Sequence, residues 1–571
     1  MKNHEIANIF NQMADLLELS GENVFRVNSY RNAARIIDEL PQDVAELDKG
    51  GKLAEISGIG ERSVQKIEEY IRTGKIGAYE ELIKKIPPKL PELLKIPGMG
   101  PKTVALAWKE LGVEDIESLR KAITGGHLAK LSGMGARKIE NIQKGLDFLA
   151  KNAGRNTLGI ALPRTCELVD ALKTISGITR VEVAGSLRRW AETVGDLDIL
   201  VESSDGEKAL KKFSEFEQVR EVLALGDTKA SVRIVDEIQV DVRVVPKESF
   251  GAAWMYFTGS KSHNIRLREV AIKNKWKLNE YGLFSGDKSI GGETEESIYK
   301  KLGLPWIPPE LREDRGEIEH AHDLPKLLEL SDIKGDLHIH TMASDGRSTI
   351  EEMVEACIAR GYKYICITDH SPSERIANGL DEKRLLEHIK QVRKTREKSK
   401  KDIIVLAGSE VDILADGSLD YKDEILKELD FVIGSVHSGL GNPEEKMTSR
   451  ILKAMDNPHV RMIGHLTGRL IGEREPSNVD VSKVIKHAAE TNTWLELNAS
   501  WRRLDLKDVH CREAKEQGVK IVICTDSHDI SQLDQMRFGV YTARRGWIEA
   551  KDVVNTLAAE KFVSLLEKGK K

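Results

Sequence analysis

Gly185-Ser186-Leu187-Arg188-Arg189, followed by Gly195-Asp196-Leu197-Asp198-Ile199-Leu200-Val201, is the stretch from which the rest of the chain can be read. A Gly-Ser turn opening a basic helical segment presents backbone N–H groups, a hydroxyl and guanidinium forks, all suited to phosphate oxygens. Asp196 and Asp198 stand two apart, so on a strand both carboxylates point to one face while Leu197, Ile199 and Val201 take the other. Ile238-Gln239-Val240-Asp241-Val242-Arg243-Val244-Val245 reads as a second strand, with three valines on one face and Asp241 on the polar one. Taken singly, a Gly-Ser pair is a turn and Asp-x-Asp a solvated acidic pair. Together, and in this order, three carboxylates and a triphosphate turn point to phosphoryl transfer assisted by two metal ions.

This constellation resembles the DNA polymerase X family. The resemblance continues in Tyr256-Phe257-Thr258-Gly259-Ser260 and on through Lys261, His263 and Asn264 to Arg268, which is similar to the family's nucleotide-selecting stretch. It implies an α/β nucleotidyltransferase palm with a thumb over residues 156–305. Carried over residue by residue, Gly185, Ser186, Arg189 and Gly195 contact the triphosphate, with Tyr256, Phe257 and Gly259 lining the nucleotide pocket. Asp196 and Asp198 bridge two Mg²⁺ or Mn²⁺ ions, Asp241 helps activate the primer 3′-hydroxyl, and Asn264 and Arg268 face the minor groove and template. Gln239 departs from the family, since vertebrate members carry Arg there as a primer-phosphate contact.

Residues 1–155 read as all helix with Gly-rich breaks. Three copies of one pattern recur: Ile56-Ser57-Gly58-Ile59-Gly60, Ile96-Pro97-Gly98-Met99-Gly100 and Leu131-Ser132-Gly133-Met134-Gly135. Each is followed by a basic helix start, at Arg62, Lys102 or Arg137-Lys138. They resemble helix-hairpin-helix motifs, in which glycines let the backbone approach a phosphate and the next helix presents its N–H groups, without reading sequence. Residues 51–155 hold 19 basic against 13 acidic side chains, an excess in the direction DNA binding requires. Gly58 to Ile67 further resembles the lyase subdomain of DNA polymerase beta, which implies that Lys66 forms a Schiff base with the sugar at a cleaved abasic site.

Residues 306–332, with Pro308, Pro309 and a charged run, read as a linker. Beyond it, from 333 to 571, β-rich runs alternate with helical ones, and nearly every run ends in a metal-type side chain. Asp336-Leu337-His338-Ile339-His340 places two imidazoles on one strand face, and later runs end at Asp369-His370, Glu410, His437, His465, Asn498 and Asp526-Ser527-His528. Functional groups at the C-terminal ends of strands are how a (β/α) barrel builds its site. A set of His and carboxylates without thiolate suits Mn²⁺ or Zn²⁺. The pattern resembles the PHP (polymerase and histidinol phosphatase) family, and the resemblance implies a site for up to three ions formed by His338, His340, Asp345, His370, Glu410, His437, His465, Asp526 and His528.

The 571 residues carry 87 Lys and Arg against 92 Asp and Glu, a formal charge of −5, so any nucleic-acid surface must be local. Five cysteines, widely spaced and without a CxxC pair, argue against a disulfide framework. No run approaches membrane-spanning length, and a cytoplasmic, nucleoid-associated monomer with no membrane partner is expected. Three parts are expected: an all-α helix-hairpin-helix region, the palm and thumb, and a distorted (β/α) PHP barrel. In this order they resemble the bacterial and archaeal members of the polymerase X family. That implies gap filling on gapped or nicked duplex DNA with dNTPs, a 3′–5′ exonuclease and abasic-site endonuclease in the PHP domain, and a lyase at the N-terminus. Two other readings are a phosphoesterase whose polymerase half only delivers DNA, and a non-catalytic scaffold bridging DNA ends.

Overall fold

A computed structural model of the chain describes residues 2–568 apart from 39, 41, 42, 57, 97 and 153. Ser57 and Pro97, quoted in two hairpin motifs, therefore lie outside the described residues. The chain forms two compact units, 1–153 and 154–571.

The first unit is helical. Its helices are amphipathic and bury two cores, one around Phe10, Tyr30, Ile37 and Ile67, the other around Leu93, Val104, Leu119 and Ile142. At each hairpin the first glycine is left-handed, with φ of +85° at Gly58, +89° at Gly98 and +75° at Gly133, a conformation that penalises a Cβ. The second glycine begins the helix: Gly60 precedes Glu61–Thr73 and Gly100 precedes Pro101–Leu111, both extended. A Cβ at Gly60, Gly100 or Gly135 would meet nothing within 4 Å. Those three helix starts are therefore open to an outside group.

In the second unit, a five-stranded sheet runs in the order Ile178–Val183, Asp196–Ser203, Gln239–Val244, Lys229–Ile234, Val219–Leu225. Its two central strands are parallel and the other pairings antiparallel. Leu197, Ile199, Val201, Val240 and Val242 fill the core beneath it, as their alternation predicts. The thumb follows, with helices Phe250–Thr258, Lys261–Lys273 and Glu295–Lys301 and a small antiparallel sheet of residues 277–291.

The C-terminal part is a seven-stranded parallel sheet whose strands, from Gly335–Ile339 to Ile521–Cys524, neighbour one another in chain order. A parallel bridge from Ile339 to Ser527 brings its last edge back to its first, so the barrel is nearly closed. Helices such as Ile350–Ala359 and Glu382–Ser399 cover the outside, and the strands are buried throughout, as a helix-covered parallel sheet requires. The Lys-rich run 390–401 belongs largely to the exposed face of Glu382–Ser399, which Asp381 caps through Arg384 N.

Residues 306–332 are not a linker. Arg312 and Glu317 there are wholly buried, and Glu310 nearly so. Arg312 forks onto Glu295 at 2.8 and 3.1 Å, and Glu317 accepts from His263 Nδ1 at 2.7 Å. Composition misleads here because Arg312 and Glu317, charges that suggest solvent, each have a buried partner elsewhere in the sequence. The palm core also continues into the barrel domain, taking in Ile471, Leu504 and Phe538.

Candidate active sites

Strand register sets the first site. Asp198 and Asp241 are direct neighbours across the parallel pair, and Asp196 lies two residues earlier on the same face. Carboxylate oxygens of all three lie within 4.8 Å of one another, a set that could hold a metal. Burial, then the charges of Asp196 and Asp241, push the Asp198 carboxyl up to about 7. Burial would raise Asp241 too, but Lys229 Nζ at 2.7 Å, Ser231 and Gln239 Nε2 at 3.2 Å hold it below its ordinary range. Lys229, on the neighbouring strand, is a residue that sequence reading does not single out. Only the antiparallel register Ser231 to Asp241 brings it there.

The turn Gly185–Arg188 faces these carboxylates. Gly185 is left-handed, φ +64°, and a Cβ on it would run into the Asp198 carboxylate, so glycine is required on both counts. Ser186 is half-buried, and its carbonyl accepts from Ala191 N at 3.0 Å. Arg188 forks onto Glu295 at 2.7 and 2.8 Å, and Arg189 donates to Glu313 Oε1 at 3.1 Å and to the Thr258 carbonyl at 2.6 Å. Trp190 is left-handed at φ +53°, a conformation that costs a non-glycine residue about 1–2 kcal/mol. It stacks on Tyr541 with ring centroids 3.8 Å apart. Gly195 adjoins Arg155, and a Cβ there would make only an ordinary contact.

Gly259 is left-handed beside Arg189, and Asn264 Nδ2 donates to the Tyr256 carbonyl at 2.7 Å. Phe257 lies under the Arg243 guanidinium at 4.3 Å. The guanidinium of half-buried Arg268 has no hydrogen bond or ion pair among the described residues.

In the first unit, Arg62 and Lys102 are exposed beside their hairpin glycines. Lys66 donates to the Arg62 carbonyl at 3.1 Å, and its ammonium lies 5.7 Å from the Tyr30 ring centroid.

The barrel site gathers all nine expected residues at the C-terminal strand ends. Glu410 is the hub: its oxygens lie 3.2 Å from His338 Nε2, 3.5 Å from His340 Nε2, 3.0 Å from His370 Nδ1, 3.3 Å from His437 Nε2 and 2.9 Å from His465 Nε2. Asp526 Oδ1 lies 3.0 Å from His340 Nε2, and Asp345 lies 3.7 Å from His370 and 3.3 Å from His528. These contacts lack hydrogen-bond geometry at several atoms: Glu410 Oε1 and Oε2, Asp526 Oδ1, His338 Nε2 and His340 Nε2 are buried without a hydrogen-bond partner. Orphaned acceptors and imidazole nitrogens converging on common points suit divalent cations. Four overlapping groups among the described residues could each hold one: His340, Asp345, His370 and His528; His338, His340, Glu410 and Asp526; His370, Glu410 and His437; Glu374, Asp412 and His437.

Burial would lower His437 and His528, yet the carboxylates outweigh it. Glu410 and Asp412 push His437 up to about 10, and Asp345 and Asp526 push His528 up to about 9. Burial and the neighbouring His528 and His370 bring His340 down to about 4.

Several supporting residues escape sequence reading. Glu496 accepts from His338 Nδ1 at 2.7 Å, and Asp412 pairs with His437 Nδ1 at 2.8 Å, each orienting an imidazole. Asp369, already visible in sequence at the end of a run, accepts from Thr341 N and Ser344 Oγ and lies 2.8 Å from His388 Nε2, fixing the loop that carries Asp345. The one signal available is a charge inside an apolar strand, as at Glu496 in Trp494–Asn498. A cleft of about 350 Å³ opens over the cluster, with Arg474 and Arg503 on its wall.

A sheet presenting three convergent carboxylates behind a Gly-Ser turn, joined to a barrel with a His-carboxylate cluster, defines a nucleotidyltransferase fused to a metal-dependent PHP-type enzyme. The PHP domain family matches residues 336–500 and the DNA polymerase beta thumb family 253–313. A helix-hairpin-helix domain matches 1–76 and a tandem of that motif 90–147. The chain is 40% identical over 574 aligned residues, covering 100% of both sequences, to the DNA polymerase/3′-5′ exonuclease PolX of Bacillus subtilis (strain 168). It belongs to that family, the DNA polymerases X that carry a 3′–5′ exonuclease. A probable phosphatase of Thermoanaerobacter sp. (strain X514) is 31% identical over 255 residues, 41% of this chain and 96% of its own. DNA polymerase lambda of Arabidopsis thaliana is 26% identical over 345 residues, 54% of this chain and 62% of its own.

Proposed function

We propose that the chain repairs short gaps in duplex DNA, adding dNTPs at the Asp196–Asp198–Asp241 site and clearing 3′ termini at the barrel site. The observation carrying this reading is that both donor sets are complete in one chain, with none of the twelve expected acidic and imidazole groups replaced or turned away. Divalent ions, Mg²⁺ or Mn²⁺ in the palm and Mn²⁺ or Zn²⁺ in the barrel, supply Lewis-acid activation and charge neutralisation at a phosphoryl centre. Asp196 and Asp198 hold ions at the palm, and Asp241 orients the primer 3′-hydroxyl, its charge kept by Lys229. Gly185, Ser186 and Arg189 receive the triphosphate, Gly195, Tyr256, Phe257 and Gly259 shape the pocket, and Asn264 and the unpaired Arg268 face the duplex. At the barrel, Arg474 and Arg503 take phosphodiester oxygens beside the nine ligands, the arrangement on which abasic-site incision also rests.

Gly58, Gly60, Gly98, Gly100, Gly133 and Gly135, with Arg62 and Lys102, grip gapped or nicked DNA through its backbone, with affinity falling steeply with salt. Such a substrate puts the protein, as a monomer, with the nucleoid. Lys66, half-buried against Tyr30, serves as the lyase amine. Borohydride should trap wild type, and not Lys66→Ala, on DNA ending in a 5′-deoxyribose phosphate; equal trapping of both would remove Lys66 from that role. For the main reading, a 5′-labelled primer on a one-nucleotide gap with Mn²⁺ should lengthen by one with dNTP and shorten without it. Shortening under both conditions would leave the polymerase half as a delivery module.

A further inference from the structure

The palm turn that follows Gly185–Arg188 is not finished by the polymerase half. Arg545, at the end of the barrel-domain helix Met536–Arg545, is nine-tenths buried and donates to the Arg189 carbonyl at 2.7 Å and to Glu313 Oε1 at 2.8 Å. The same Glu313 oxygen accepts from Arg189 Nε. Arg545 Nε is held in turn by Asp508 at 3.1 Å, which also pairs with Arg315 at 2.9 Å. The charges alternate along this chain, so each arginine fixes the carboxylate that fixes the next. One turn earlier on the same helix, Tyr541 stacks flat on Trp190, the left-handed residue that closes the turn. Nε and Nη1 of Arg189 are thus occupied, and Nη2 is its guanidinium nitrogen without a hydrogen bond among the described residues.

We infer that Arg545 of the PHP domain is a positioning residue for the polymerase reaction: through Glu313 and the Arg189 carbonyl it sets the Arg189 guanidinium for the incoming triphosphate. This rests on the reading of Arg189 as a triphosphate contact. Arg545 Nη1 donates to both the Arg189 carbonyl and Glu313 Oε1, and two charge-assisted contacts on neighbouring groups fix the direction of a long side chain, which a lone ion pair does not. The helix carrying it begins eight residues after His528, so a single covalent segment runs from the barrel ligands to the nucleotide turn.

The test uses the full chain on one-nucleotide gapped DNA, measuring KM for dNTP and kcat, with 3′ shortening of the same primer as the check on the PHP fold. Arg545→Met should raise the dNTP KM about tenfold, the order expected for losing a charge-assisted hydrogen bond, with kcat and shortening within about twofold of wild type. Arg545→Lys, which restores one donor, should recover most of the loss. An unchanged KM in Arg545→Met that still shortens primers would overturn the inference, as would a raised KM that Lys does not rescue, since packing alone would then explain it. Should Arg545→Met lose both activities, Glu313→Gln decides: a raised dNTP KM supports the relay and an unchanged one overturns it. Arg189→Ala separates the two levels. If it leaves the KM unchanged, the nucleotide-turn reading itself fails; if it raises the KM where Arg545→Met does not, only the relay fails.

Discussion

Gly185 determines whether Asp198 can stand where the palm needs it. With φ at +64° and Asp198 packed where a Cβ would go, Gly185→Ala must displace either the turn or the carboxylate. Misplacing a catalytic group by an ångström costs about a hundredfold in rate, so nucleotide incorporation should fall by about that factor while 3′ shortening persists; single-turnover assays of both decide it. Protonation gives a second expectation. His437 and His528, near 10 and 9 without metal, lie above the ordinary 6.5 of an imidazole. The stability of their ion pairs is therefore fully present below pH 6.5 and lost as pH rises through 9 and 10. A ligating nitrogen must be neutral, so loading Mn²⁺ at pH 8 should release more than one proton per chain. Calorimetry in buffers of different ionisation enthalpy reads this directly, and zero release would contradict the assigned ligands. At this scale the donors themselves are legible in sequence, because metal-type side chains at strand ends announce their chemistry. Lys229, Glu496 and Asp412 are not, because what they do depends on which side chain lies opposite, and that is set by register across strands.

The thumb and the segment after it show what an element hides. Arg312 is wholly buried and shares Glu295 with Arg188, and Trp306 donates to the same carboxylate at 2.9 Å. The two guanidinium groups overcome the burial penalty and keep Glu295 ionised, far below the usual carboxylate range. Removing one partner of a buried charge cluster costs about 3–5 kcal/mol because the others are left uncompensated. Glu295→Ala should therefore lower stability by that order in thermal unfolding and weaken polymerisation with it, whereas a change below 1 kcal/mol would show that water already reaches the cluster. Strands were predictable from their alternation, as in Asp196–Ser203. The 306–332 stretch was not, because prolines and charges look alike in a linker and in a segment whose charges are paired over long sequence separations.

Within residues 154–571 the palm and the barrel share apolar side chains and a train of ion pairs, so the domain boundary legible in composition is not a boundary in packing. Glu192 of the palm likewise meets Arg469, four residues past His465, at 2.7 Å. Sequence similarity marks the parts, and only the fold shows that Trp190 and Tyr541 belong to one stack. If one chain holds two complete and chemically separate sites, single substitutions should separate the activities. The decisive assay uses a 5′-labelled primer on a one-nucleotide gapped duplex with Mn²⁺, with and without dNTPs, comparing wild type, Asp198→Ala and His340→Ala. Asp198→Ala should lose extension alone and His340→Ala should lose shortening alone. Loss of both activities in either variant, with the fold retained, or of neither, would contradict that separation.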